Sequence, residues 1–175
     1  MGAFHKCMKT IKGFIAILTV TFAASFAASA QVNLTSLDGK SVNLEGQNGK
    51  VVVLAIGASW LPLSGKQAEF TNALAKKYTG KNVVFYFVAT DSANPKSKNY
   101  ATDDAIKKFA FGNKLTATVL RDSDGAATLK KFNVEQVPSF VILDKNGKQI
   151  GDVFGGIDPK YDVTIPISKA IDKIL

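Results

Sequence analysis

Three short, continuous apolar segments constrain the fold of this chain most strongly, and they lie at residues 51–56, 83–89 and 139–143. Apolar runs of this length, bounded by turn residues, are typical of β-strands buried on both faces of a sheet. The segments between them carry apolar residues at helical spacing, as at Phe70 and Leu74. Strands that alternate with helices predict an α/β fold, in which helices flank a central β-sheet.

Weaker patterns complete the predicted sheet and its helices. Residues 31–50 contain the turn dipeptide Asp38-Gly39 between alternating segments, which predicts an N-terminal β-hairpin. Short strands are predicted at 116–120 and 149–154, and the second follows the strand at 139–143 after a tight turn. Such a turn makes the last two strands antiparallel, so the sheet should be mixed. Helices are predicted around Phe70, around Ile106, over 126–132 and around Ile171.

The first thirty residues match the anatomy of a secretory signal peptide. Lysines without an acidic residue precede an apolar run at 14–26, and Ala28-Ser29-Ala30 fits the small-x-small pattern of a cleavage site. An uncleaved membrane anchor is the alternative, but the run falls short of the roughly 20 apolar residues that span a bilayer. We predict a signal peptide at 1–30, cut after Ala30, and one domain at 31–175. The expected location is periplasmic or secreted, with no stable membrane insertion after cleavage.

Residues 31–175 contain neither cysteine nor histidine, because the only cysteine is Cys7 and the only histidine is His5. The predicted domain therefore cannot use thiol or imidazole chemistry. Residues 122–125 read Asp-Ser-Asp-Gly, but the glutamate that would complete a calcium loop is missing, and we predict an ordinary turn there. We expect no metal and no cofactor.

The positive charge does not indicate a nucleic-acid partner. Removing Lys6, Lys9 and Lys12 from the 22 basic residues leaves 19 against 14 acidic residues, a net charge of +5. Arg121 is the only arginine, and the lysines are scattered along the chain. Bidentate recognition of bases and phosphates favours arginine. We interpret the charge as the solvated surface of a mildly basic exported protein.

Three segments carry a resemblance to a known family. Residues 58–64 read ASWLPLS between an apolar strand and a helix, residues 137–147 read VPSFVILDKNG, and residues 37–44 read LDGKSVNL. In this order and spacing they resemble the thioredoxin-like superfamily, most closely its exported TlpA/ResA-like (redoxin) branch. The resemblance covers nearly all of 31–175. It implies a thioredoxin-like fold, in which a central mixed β-sheet is flanked by helices and preceded by an N-terminal β-hairpin, and a cis-proline in the second segment.

The chain departs from this branch where the branch does its chemistry. The family loop reads A-S/T-W-C-x-x-C, and Leu61 and Ser64 stand at its two cysteine positions. Many members carry a proton-handling glutamate three residues later, where this chain has Gln67. Thiol–disulfide exchange needs a thiolate, and the Ser64 hydroxyl has no histidine to activate it. We therefore assign no catalytic residue.

The apolar loop at the former cysteine positions is interpreted as a candidate binding site. In thioredoxin folds it lies beside the cis-proline loop on the surface, so an extended peptide could dock there by strand addition. The alternative is that Leu61 and Leu63 turn inward and fill the space. The candidate binding residues are Trp60, Leu61, Pro62, Leu63, Val137 and Pro138.

Three functions remain open at this point. The first is a non-catalytic binding or accessory protein with an extended peptide or a protein as its partner. The second is a TlpA-like thiol-disulfide oxidoreductase or antioxidant, which the family resemblance implies and the missing cysteines oppose. The third is a structural subunit that pairs with an active relative. The sequence does not identify the partner or the oligomeric state.

Overall fold

The computed structural model describes residues 31–47 and 49–175. The predicted signal peptide, with Cys7, His5 and the cleavage site after Ala30, lies outside the described residues. The strands are β1 (Asn33–Ser36), β2 (Ser41–Asn43), β3 (Val51–Gly57), β4 (Val83–Ala89), β5 (Thr118–Arg121), β6 (Ser139–Leu143) and β7 (Phe154–Gly155). The helices are α1 (Ser64–Lys77), α2 (Asp103–Gly112), α3 (Thr128–Lys131) and α4 (Thr164–Asp172). In the described part of the chain, no helix has the length and apolar character needed to cross a membrane.

The seven strands form one mixed sheet in the order β2-β1-β5-β4-β3-β6-β7. The pairs β3–β4 and β4–β5 are parallel, whereas β3–β6, β6–β7, β1–β2 and β1–β5 are antiparallel. The predicted mixed α/β sheet and the N-terminal hairpin are both confirmed. The boundaries of β4 and β6 agree with the prediction, while β5 and α3 begin two residues later than predicted.

The strand predicted at 149–154 is wrong in extent. Gln149 makes only an isolated bridge to Leu143, and the chain pairs again only at Phe154–Gly155. Gly151 has a φ of +66°, a left-handed conformation that interrupts an extended strand. Gly155, directly after the predicted end of this strand, lies within β7.

Strand β3 lies at the centre of the sheet and contributes to both hydrophobic cores. Its residues are buried throughout, and side chains alternate between the two faces of a strand. Val51, Val53 and Ala55 join the core that includes residues of α1, α2 and α4, such as Leu74, Ile106 and Ile167. Val52, Leu54 and Ile56 join the core on the other face, with Leu34 of the hairpin and Phe132 after α3. Both faces of the sheet are thus covered, as the continuous apolar runs predict.

Packing between α1 and α4 holds the helix that carries the candidate site. The hydroxyl of Tyr78, directly after α1, donates to the carboxylate of Asp172 at 2.7 Å and lies 3.1 Å from the carbonyl oxygen of Ser168. Burial raises the pKa of the Tyr78 hydroxyl, and the hydrogen bond to Asp172 raises it further. Gly80, with a φ of +77°, follows the helix end. These contacts hold the C-terminal end of α1 against α4.

Candidate functional site

The loop of residues 58–63 begins where β3 ends and leads into α1, so it lies at the carboxyl edge of the parallel pair β3–β4. Asp91, two residues beyond the end of β4, is fully buried and holds this loop. Both of its carboxylate oxygens lie 3.0 Å from the backbone nitrogen of Ser59, and the Ser59 hydroxyl donates to Oδ1 at 2.5 Å. The start of the loop is therefore tied to the neighbouring strand end.

The apolar residues of the loop are only partly covered. Trp60 is 50% exposed and Pro62 is exposed, while Leu61 and Leu63 are half-buried. Neither leucine belongs to the two hydrophobic cores or packs against them. This placement differs from the alternative in which both leucines fill the interior. The loop thus presents apolar surface to solvent.

Below this loop lie three buried polar side chains: Ser64, Gln67 and Ser139. Nε2 of Gln67 donates to the carbonyl oxygens of Ile56, at 3.1 Å, and Ser139, at 2.7 Å. Since Ile56 and Ser139 are paired residues of β3 and β6, the Gln67 amide connects the ends of both strands. The Ser64 and Ser139 hydroxyls and Oε1 of Gln67 have no hydrogen-bond partner among the described residues.

Gly57 allows this close arrangement because it has no side chain. A Cβ atom at residue 57 would lie 2.3 Å from Oε1 of Gln67 and 3.1 Å from the Ser64 hydroxyl oxygen. Both distances are shorter than ordinary contacts. Glycine at the end of β3 is thus required for the present position of Gln67.

The Val137–Pro138 peptide bond is cis, the form that the family resemblance implies. Pro138 is buried, whereas Val137 is half-buried and packs against the second core. The pairing of Ile56 with Ser139 places the residues after β3 and the residues before β6 at the same end of the sheet. Within the described residues, Val137 makes no backbone hydrogen bond. We call residues 60–63 and 137–138 together the loop groove, in which Pro138 is the buried member.

The loop groove offers hydrogen-bonding backbone and apolar surface, and its residues include no nucleophile with a base beside it. Ser64 is fully buried, and Gln67, whose side chain also approaches Gly57, has no titratable group. Groups of three or more histidine, cysteine, aspartate or glutamate side chains that could hold a metal ion are absent from the described part of the chain.

Sequence reasoning missed two features of the site: the tie between Asp91 and Ser59, and the hydrogen bonds of Gln67. An aspartate directly beyond an apolar strand was a usable signal, because the ends of parallel strands meet at one sheet edge. Nothing in the sequence showed that the Gln67 side chain reaches two carbonyl oxygens. That contact depends on how α1 packs over β3 and β6.

Comparison with known proteins agrees with the fold. The chain is 30% identical over 122 residues to the thiol-disulfide oxidoreductase ResA of Bacillus thuringiensis subsp. konkukian, covering 70% of this chain and 65% of that protein. It thus spans somewhat less than two thirds of this relative. The exposed lipoprotein thioredoxin Etrx1 of Streptococcus pneumoniae has a similar structure, with 25% identity and a TM-score of 0.65 over 82% of this chain and 99% of that chain.

A thioredoxin-like protein of Aeropyrum pernix shows the same fold, with 21% identity and a TM-score of 0.65 over 82% of this chain and 89% of that chain. The redoxin family matches residues 21–164, which is most of the sequence. These residues contain no cysteine, and Leu61 and Ser64 stand where the TlpA/ResA-like branch carries its pair. The chain therefore belongs to the redoxin family, in its TlpA/ResA-like branch, as a member without the two cysteines.

Proposed function

We propose that this protein is a non-catalytic binding or accessory protein whose loop groove docks an extended segment of a protein partner. The observation that carries the proposal is the half-exposed Trp60 with Leu61 and Leu63 beside a cis-proline edge, where the relatives carry reactive cysteines. Partly exposed apolar side chains gathered beside free backbone groups are typical of a docking surface.

The backbone of the groove supports strand addition. The N–H and C=O groups of Val137 have no backbone partner within the described chain, although the residue is half-buried. Partly buried backbone groups are normally paired, so a hydrogen-bonding partner is favoured at this position. An extended segment would pair with Val137 through its main chain, while Trp60 and Leu61 would contact its side chains.

Binding can be measured with the protein's own fluorescence, because Trp60 is its only tryptophan. An array of extended peptides identifies binders, and titration of Trp60 emission gives their dissociation constants. Leu61→Asp should weaken binding at least tenfold, since it places a charge in the apolar surface. Phe111→Asp is the matched control, because Phe111 is 88% exposed on α2 and lies outside the groove. Equal affinities for both variants and wild type would refute the groove as the docking site.

Thiol-disulfide oxidoreduction is the second candidate, and it is favoured by the names of the ResA relatives and of several structural neighbours. Leu61 in the groove and the buried Ser64 below it provide no sulfur to attack a disulfide. We therefore expect insulin reduction at the uncatalysed rate. Turnover comparable to that of a thioredoxin would overturn the binding proposal as the sole function.

Pairing with an active relative is the third candidate. Size-exclusion chromatography of the protein with and without such a relative distinguishes it from peptide docking. A stable mixed complex that Leu61→Asp leaves intact would favour the structural role.

Export is part of the proposal, because the sequence pattern at 1–30 predicts a signal peptide and one structural neighbour is described as an exposed lipoprotein. N-terminal sequencing of the protein recovered from its native host tests it. The expected first residue is Gln31. Recovery of the protein with Met1 or Gly2 at its start would contradict cleavage.

A further inference from the structure

A cavity of about 440 Å³ lies next to the cis-proline edge of the loop groove. It is lined by Asn133, Glu135, Gln136, Val153 and Gly155. Its volume falls in the range of pockets that hold small ligands or long side chains. We call it the Glu135 cavity, after the one charged residue that lines it.

The chain places the Glu135 cavity beside the backbone that would receive the partner. Gln136 directly precedes Val137, and Gly155 pairs with Ser139, the residue after the cis-proline. The Gln136 side chain lies across Gly155 and Gly156, since a Cβ atom at Gly156 would come within 2.6 Å of its Nε2. The cavity and the free backbone groups of Val137 are therefore neighbours at one end of the sheet.

The chemistry of the cavity favours a cation. The Glu135 carboxylate is exposed and forms no ion pair with any described residue, although the protein as a whole is basic. Lysine and arginine do not line the cavity. The side chains of Asn133 and Gln136 add amide oxygens, which accept hydrogen bonds from ammonium or guanidinium groups. The three N–H donors of a lysine or the five of an arginine would thus meet a carboxylate and amide acceptors.

We propose that the Glu135 cavity binds a lysine or arginine side chain of the partner segment that docks in the loop groove. This inference rests on the proposed function and adds a specificity to it: the partner segment is apolar where it faces Trp60 and basic where it passes Glu135. Residues of an extended segment advance by about 3.3 Å each, and alternate side chains point to one side. A basic residue close in sequence to the Val137-paired residue would therefore reach the cavity.

The test uses the wild-type protein and a peptide array in which lysine, glutamate or norleucine replaces each position of an apolar extended sequence in turn. Norleucine keeps the straight carbon chain of lysine and removes the charge. At one or two positions, lysine peptides should bind about 5- to 10-fold more tightly than norleucine peptides, and added salt should reduce this preference. Trp60 fluorescence supplies the dissociation constants.

Glu135→Gln should abolish the preference for lysine and leave the affinity for norleucine peptides unchanged. Glu135→Lys should shift the preference to glutamate peptides, whereas Asp104→Asn, which removes an exposed carboxylate on α2, should preserve the wild-type pattern. If lysine and norleucine peptides bind wild type equally, the cavity inference is wrong while the proposed docking function stands. If no peptide of any composition binds, the proposed function fails and the inference fails with it.

Discussion

Replacing Gln67 with glutamate should make the stability of this domain depend strongly on pH. In the wild-type protein, Nε2 of Gln67 donates hydrogen bonds to the carbonyl oxygens of Ile56 and Ser139, and the side chain is fully buried. An ionised carboxylate has no proton to donate and would face both carbonyl oxygens. The neutral acid can still donate one hydrogen bond, so only this form fits the site.

The size of the effect follows from the burial of residue 67. Burial and the two carbonyl oxygens both raise the pKa of the introduced carboxyl above its unfolded value of about 4.3. Full burial raises such a pKa by about 3–5 units, each worth about 1.4 kcal/mol, so ionisation costs about 4–7 kcal/mol of unfolding free energy. The carbonyl oxygen that loses its donor adds a loss of about 1–3 kcal/mol at every pH.

The direction with pH is fixed because the pKa of the introduced carboxyl is higher in the folded state. Below about pH 4.3 the variant does not lose the pH-dependent part of its unfolding free energy. This loss grows as the pH rises toward the folded-state pKa. Urea unfolding followed by circular dichroism, from about pH 4 to pH 9, measures the difference in unfolding free energy between Gln67→Glu and wild type. Ala73→Glu is the control, because Ala73 is exposed on the same helix. The difference in unfolding free energy between this control and wild type should not change with pH. A pH-independent difference for Gln67→Glu would refute the assigned hydrogen bonds.

Three further predictions concern thiol chemistry and stability. The double variant Leu61→Cys with Ser64→Cys should form an intramolecular disulfide and reduce insulin above background. The single variant Ser64→Cys should do neither. If the two cysteines failed to oxidise in a thiol assay, the placement of position 61 in the loop directly before position 64 at the start of α1 would be contradicted. Asp122→Ala should lower the free energy of unfolding, measured with urea, by about 2–4 kcal/mol. The buried Asp122 carboxylate accepts hydrogen bonds from the backbone nitrogens of Ala127 and Thr128 and from the Thr128 hydroxyl, at the start of α3. Leu74→Ala should lower the free energy of unfolding by about 2–5 kcal/mol, because this fully buried side chain fills the core between α1 and the sheet. A decrease in unfolding free energy below about 1 kcal/mol would be inconsistent with such packing.

Burial patterns explain which parts of the fold could be predicted from the sequence. Strands β3 and β6 are buried throughout and β4 is buried over most of its length, so their residues are almost all apolar and the segments stand out against polar neighbours. The region 149–154 mixes apolar residues with Gln149 and Asp152, and the left-handed Gly151 interrupts pairing with β6. A glycine in such a segment can be extended or left-handed, and the sequence alone does not distinguish these states.

The candidate site was predictable in its location and not in its connections. The loop at 60–63 and the proline at 138 could be placed together because a family resemblance fixes their positions in the fold. The buried contact between Asp91 and Ser59 joins residues 32 positions apart, and the contact between Gln67 and Ser139 joins residues 72 positions apart. Such contacts depend on the tertiary packing of helices and strands, for which polar residue types give little local signal.

The close approach of Gln67 to Gly57 also restricts the order in which this site can change during evolution. A side chain gained at position 57 would displace the Gln67 amide and break its hydrogen bonds to Ile56 and Ser139, unless position 67 first became smaller. The effect of a substitution at position 57 therefore depends on the residue at position 67. Glycine should persist at position 57 for as long as a long side chain occupies position 67. A variant that gained cysteines at 61 and 64 would carry the same restriction at position 57 for as long as Gln67 remained.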